Sequence, residues 1–270
     1  MNGGSALVRR KADYCWLWCS GRKYMNIILV GEQEIIQGKI ILIDRRAEHI
    51  VKVLKSEIGD IVKIGIINGK IGTAKILGIK RKFPFSVELE GIFTSMPPDK
   101  NPVDLLLALP RPIMLRRILA QIASLGVETL HVVNAARVEK SFWDAGLLEP
   151  EEYEQHLISG LEQSVDTVFP SIFFHKRFKP FIEDFFPSIS HKYKYLLYAH
   201  PAGRKLLGEL LGPGSGKILV AIGPEGGWVD FETEKLEAYG FEGFSIGPRI
   251  LKVDTAVVNI HGRAMAGIEG

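Results

Sequence analysis

The sequence predicts an α/β protein in two parts: a small β-rich barrel, then a larger domain built on a parallel sheet. Three observations predict this. Short strand patterns crowd residues 39–93, a proline-rich break follows at 94–102, and apolar strands then alternate with amphipathic helices to the end.

With 270 residues and 46% apolar content, the chain is long enough to bury a substantial core. No apolar run reaches the ~20 residues that a membrane-spanning helix needs, and "YCWLWCS" is too short for a secretory signal, so a soluble, cytoplasmic protein is expected. Cys15 and Cys19, the only cysteines, sit together near the start and cannot staple the body of the protein. Residues 1–24 differ in character from the rest of the chain. They are expected to be either a flexible basic extension or a misassigned start, with Met25 opening the first apolar segment. The net charge of +3 is unevenly spread: residues 1–24 carry +4, residues 25–95 carry +3 and residues 96–270 carry −4. An N-terminal basic surface suits a polyanion, and equally an ordinary solvated face.

In the first domain, residues 25–95, "KIILI", "DIVKIGIING", "KIGTAKILGI" and "FSVELEGIF" are strand-like, with Asn68-Gly69 as a hairpin turn. "DRRAEHIVKVLK" interrupts them as a short helix, with Asp44 as N-cap and Ala47, Ile50, Val51 and Leu54 on one face. "TSMPPDKNP" is the linker. In the second domain, residues 96–270, "VDLLLALP" leads to a helix near 112–125 closed by Gly126, and "TLHVVNA" leads to one near 150–165. "SIFFH", "YKYLLYAHP", "KILVAIGP" and "GFSIGP" continue the alternation, and a further helix is expected from near Asp230 to Gly240.

Two glycine-rich strings invite a phosphate reading, and both resist it. "GPGSGK" (212–217) lacks the first glycine of a P-loop, puts Ile218 where Ser or Thr must reach magnesium, and precedes a strand, so it is a turn. "IGPEGG" does follow a strand, but Pro224 removes a backbone donor and Glu225 would repel phosphate. In isolation it could be a plain strand-to-helix turn. However, "IGP" recurs in "SIGPRILKVDTA" (245–256), and "YAHPAG" (198–203) ends a third strand. In a parallel sheet such ends share an edge where ligands bind, and three loops of this kind form a pocket of backbone groups suited to an uncharged ring such as adenine. The seven histidines show no ligand spacing and no metal site is expected; His49 and His131 lie within apolar patterns as packed or surface residues.

"IGPEGG" followed by "IGPRILKVDTA" strongly resembles the RsmE family of 16S ribosomal RNA (uracil N3)-methyltransferases of the SPOUT class, and "LRRILAQIASLGV", "KSFW", "LEQS" and "AHP" match in order. The resemblance covers nearly all of residues 25–270. It implies a PUA-like RNA-binding barrel, then a trefoil-knotted SPOUT domain that binds S-adenosylmethionine (SAM), and a homodimer acting on 16S rRNA or the small ribosomal subunit, with no membrane or metal. It places the cofactor against Ala199, His200, Pro201, Ile222, Gly223, Pro224, Gly226, Gly227, Ile246, Gly247, Pro248, Ile250, Leu251 and Thr255. Arg45, Arg46, Lys52, Lys55 and Lys140 are the residues expected to meet RNA. Departures exist: Asp166 stands where Arg is common, and Lys252 and Asp254 replace Arg and Glu.

Uracil N3 is a poor nucleophile until its proton leaves. Arg249 is therefore the candidate to stabilise the anionic ring, while Glu225 either accepts a proton or holds its loop. A SPOUT enzyme acting on a ribose 2′-hydroxyl and a non-catalytic RNA-binding protein are the rival readings.

Overall fold

A computed structural model describes residues 26–214 and 216–269; the expected N-terminal extension, with both cysteines, lies outside the described residues. The first sheet comprises β1 (Ile28–Val30), β2 (Lys39–Leu42), β3 (Ile61–Ile66), β4 (Ile71–Lys80) and β5 (Ser86–Ser95), in the order β1-β3-β4-β5-β2. Only β1 and β3 run parallel. Alternation does the sorting: Ile40, Leu42, Val62, Ile64, Ala74, Ile76, Val87 and Leu89 point inward and are closed off by Ala47 and Ile50. Those last two belong to α1 (Arg45–His49) and the π turn Ile50–Leu54 that continues it. The Asp44 carboxylate caps α1 by accepting the N–H of Arg46 at 2.9 Å. Asn68, with φ of 56°, lies in the β3–β4 connection, where the N–H of Gly69 donates to the Ile66 carbonyl.

The second sheet is parallel throughout and runs β10-β12-β9-β11-β6-β7-β8. Its strands are β6 (Val103–Ala108), β7 (Thr129–Val133), β8 (Ser171–His175), β9 (Tyr195–Ala199), β10 (Lys205–Leu206), β11 (Ile218–Ile222) and β12 (Glu242–Ser245). Every residue of β6 and β11 is buried, as strands covered on both faces must be. One face packs on α2 (Pro112–Ser124), α3 (Pro150–Ser164) and α8 (Val253–Glu269). The other packs on α7 (Asp230–Ala238) and an aromatic segment formed by α4 (Phe178–Pro180), the π turn Phe181–Phe185 and α5 (Phe186–Ile189). Pro112 and Pro150 open α2 and α3, while Gly126 and Gly240, with φ of 73° and 89°, follow α2 and α7.

Strand order shows where the chain crosses itself. β9 and β10 are consecutive, yet β12 lies between them, and α8 then packs on α2, on α6 (Leu207–Leu210), and on β6 and β11. The last strand thus lies inside the pair formed by β9 and β10, and the last helix packs back on α6 from the same connection, the placement expected of a trefoil-knotted sheet, an exception to ordinary unthreaded connections.

Short hydrogen bonds join the two sheets. The N–H of Asn68 donates to the Thr167 carbonyl at 2.7 Å, the Thr167 hydroxyl to the Gly69 carbonyl at 2.5 Å, and the N–H of Phe169 to the Asn68 side chain at 2.9 Å. Asp166 organises this turn from a position only 3% exposed. Its carboxylate accepts the N–H groups of Thr167 and Val168 and pairs with Lys100 of the linker at 2.7 Å. Asp166 therefore anchors the junction. Among the described residues, no helix is long and apolar enough to cross a membrane.

Candidate functional site

The ends of β9, β11 and β12, with the first turns of α8, enclose a cavity of about 490 Å³, a size typical of small-ligand sites. Ile222, Phe244, Val253, Ala256 and Ile260 make its floor, and the two GP loops make its walls. Gly227 and Gly247 adopt left-handed conformations, with φ of 76° and 119°, which open the tight turns. The first is closed by the Gly227 N–H donating to the Pro224 carbonyl at 2.8 Å, the second by the Gly247 N–H donating to the Ser245 hydroxyl at 3.2 Å. The "AHP" loop lies hard against β12. His200 N–H donates to the Phe244 carbonyl at 2.9 Å, and a Cβ at Gly203 would fall onto the Phe244–Ser245 backbone.

All the residues expected to contact the cofactor line this cavity except Thr255. Thr255 is exposed, whereas α8 turns Val253, Ala256 and Ile260 inward, so its side chain is not part of the wall. Arg249 stands at the mouth, exposed and without an ion pair among the described residues. Glu225 is also exposed, and its carboxylate lies 3.5 Å from the Arg111 N–H, a weak tether to the loop before α2.

The supporting residues were harder to read in the sequence. Buried Glu232 accepts the N–H of Val229 at 2.9 Å and of Ala136 at 2.7 Å, tying the start of α7 to the loop after β7. From that loop the Arg137 guanidinium donates to the Gly226 carbonyl. Trp228 packs its indole against Gly223 and backs the first GP loop. The position of Glu232 at the third residue of a helix is a capping signal visible in the sequence; the reach of Arg137 across the sheet edge has no local signature.

The residues expected to meet RNA divide. Lys55 and Lys140 are exposed, and Lys52 is exposed but paired with Glu48 at 2.7 Å. Arg45 reaches over the junction to grip Glu162 through two bonds of 3.0 and 2.9 Å. Arg46 must be removed from the group. Its side chain is 15% exposed, and its guanidinium is taken up by Glu34, Asp44 and the Leu29 carbonyl, with the Arg46 hydrogen bond holding the Glu34 carboxyl below its usual range. Lys217 of "GPGSGK" is also structural: it pairs with buried Asp104 at 3.0 Å and with Glu128 at 2.6 Å, immediately before β11.

Comparison with known proteins decides the family. The family model for an RNA methyltransferase domain matches residues 97–265, and that for an RNA methyltransferase PUA domain matches residues 42–89. Ribosomal RNA small subunit methyltransferase E of Treponema pallidum is 34% identical over 240 residues, 86% of this chain and 87% of that protein.

The chain belongs to the RsmE family.

A second RsmE relative, Ribosomal RNA small subunit methyltransferase E 1 of Borreliella burgdorferi, is 28% identical over 87% of this chain and 94% of its own length. Among solved structures, the Neisseria gonorrhoeae RsmE bound to S-adenosyl methionine superposes with a TM-score of 0.70, covering 91% of this chain and 98% of that one at 20% identity. A Legionella pneumophila methyltransferase in complex with SAM gives the same TM-score at 21% identity, covering 90% of this chain and 98% of that one. The shared RsmE architecture, a PUA domain and a SPOUT sheet, is the one that the strand order describes.

Proposed function

We propose that this RsmE family member is a SAM-dependent methyltransferase that modifies N3 of a uridine in the 16S RNA of the small ribosomal subunit. The observation that carries the reading is the cavity at the knotted edge of the sheet, walled by backbone and open beside the exposed Arg249. The cavity fits SAM in kind: an apolar floor for an adenine ring, glycines that let backbone amides approach, and no charge at its base. SAM, when bound, supplies an electrophilic methyl group. The residues that would hold it are those of the "AHP" loop and the two GP loops, with Val253 and Ala256 beneath.

The chain's own contribution is positioning and charge. In-line displacement needs the methyl donor and the nucleophile held in register, and the first GP loop, braced by Glu232, Arg137 and Trp228, would provide the donor's side of that hold. Once N3 has lost its proton, negative charge spreads onto the uracil carbonyl oxygens, where the Arg249 guanidinium stabilises it. The contact of Glu225 with the loop before α2 favours a loop-holding role for it. N3 lies on the pairing edge, so the target base must be unpaired or extruded. Lys55, Lys140 and Arg45, once released from Glu162, would hold phosphates around it. A homodimer and a cytoplasmic location complete the reading.

The test is direct. Isothermal titration should detect SAM binding, and 16S rRNA from cells carrying this gene should stop reverse transcriptase at one uridine where rRNA from cells lacking it does not. Read-through with a modified ribose would assign a 2′-hydroxyl instead, and no SAM binding would leave an RNA-binding protein without catalysis.

A further inference from the structure

From Lys80, the last residue of β4, the chain turns to β5 through Arg81, Lys82, Phe83, Pro84 and Phe85. Phe83 is 86% exposed, higher than any other large apolar side chain among the described residues. It stands edge-on to Phe85, with ring centres 6.2 Å apart. The tip does not project alone. Arg81 donates to the Ser56 carbonyl at 2.8 Å, and the Lys52 ammonium sits 5.0 Å from the centre of the Phe85 ring. Lys52, Lys55, Lys80, Arg81 and Lys82 are thereby collected around one aromatic apex, with Glu48 and Glu57 as acidic neighbours along the chain and Glu88, paired with Lys39, further down the hairpin. Glu48 is occupied by Lys52, while Lys55, Lys80, Arg81 and Lys82 have no ion pair among the described residues.

A single exposed phenylalanine is ordinary, and so is a single surface lysine. An exposed ring at the apex of a basic loop is the composition by which proteins hold single-stranded nucleic acid, because every base offers a face to stack on and every linkage a phosphate to neutralise. A protein partner would need about 1,000 Å² of complementary surface, which one hairpin tip does not offer. Duplex RNA hides its base faces and gives the ring no partner.

We propose that Phe83 stacks on an unpaired base of the RNA substrate, with Lys55, Lys80 and Lys82 on the flanking phosphates. This rests on the reading of the chain as an RNA methyltransferase, and it gives the barrel a base contact beside its phosphate contacts.

Fluorescence anisotropy with a labelled single-stranded oligouridylate tests it, using wild type, Phe83→Ala, Phe83→Trp and Lys80→Gln/Lys82→Gln, with SAM titration and thermal melting alongside. Phe83→Ala should weaken binding about tenfold and Phe83→Trp should restore it. The double glutamine variant should flatten the slope of log affinity against log salt by about 1.4. SAM affinity and melting should stay unchanged, since the ring is exposed. Wild-type affinity in Phe83→Ala overturns the proposal. So does a loss that Phe83→Trp does not repair, which would point to local packing, or no measurable binding by the wild type. Weakened binding to small subunits with unchanged oligouridylate binding would assign the tip to a ribosomal protein. Failure of the enzyme reading shows separately, as a wild type that binds the oligonucleotide but neither binds SAM nor transfers methyl groups.

Discussion

Arg45 and Arg46 are neighbours with opposite surroundings. Arg45, itself exposed, leans over the domain junction to a two-bond pair with Glu162, whose side chain is mostly covered, while Arg46 is drawn inward by two carboxylates and a carbonyl. An exposed pair contributes little, and hydrogen bonds to buried charge contribute more. Arg46→Gln should therefore lower unfolding free energy by about 2–3 kcal/mol, and Arg45→Gln, whose charge is exposed, by about 1 kcal/mol, in urea titrations. At the mouth of the cavity the expectation reverses. Arg249→Ala should leave stability and SAM affinity near wild type while lowering the methyl-transfer rate about 10²- to 10³-fold in single-turnover assays. The sequence supplied residue types but not partners. Asp44 was legible as a helix cap, yet nothing local announced that its carboxylate also holds Arg46, or that Glu34 would join it, because the curl of the barrel brings Glu34 there.

At the level of elements, the connections around the cavity are close-fitted, and Gly203 is the tightest of them. A methyl group there meets backbone rather than a yielding side chain. Gly203→Ala should lower stability by about 1–3 kcal/mol and weaken SAM binding by displacing the end of β12, as melting and titration would show. Neighbouring strands β7 and β8 hold a histidine pair, His131 buried and His175 half-buried, with His131 Nδ1 and His175 Nε2 3.1 Å apart among Phe173, Phe181 and Phe185. Burial pushes His131 down to about 4 and His175 down as well, and His261 on α8 is likewise pushed to about 4 by burial. Between pH 6.5 and 4 the unfolded chain takes up protons that the folded chain refuses, so stability is intact above pH 6.5 and falls as the pH drops toward 4. Each such group contributes a slope of up to about 1.4 kcal/mol per pH unit. Urea midpoints across this range should fall with pH, and less steeply in His261→Leu. The burial of His131 was foreseeable from its apolar strand; the pairing with His175 depends on strand register.

At the level of the molecule, the order of strands and helices was legible almost throughout, because fully apolar strands and capped amphipathic helices leave strong local patterns. The insertion of β12 between β9 and β10 was not, since no periodicity records which strand lies beside which. Resemblance to a family implied a knotted chain, and the place of β12 in the sheet agrees with that fold. The junction was also hidden: Asp166 stood out only as a departure where Arg is common, and it is a buried anchor for Lys100 and the turn that holds the barrel. A barrel with a basic apex fixed to a sheet with a cofactor-sized cavity is the frame on which the central claim stands. The most direct test incubates small ribosomal subunits lacking the modification with the full chain and SAM carrying a deuterated methyl group, followed by mass spectrometry of nucleosides from the 16S RNA. The account predicts one deuterated N3-methyluridine per subunit, absent without the protein and strongly reduced with Arg249→Ala. Label on a ribose oxygen or on another base, or no label in the RNA, would contradict it.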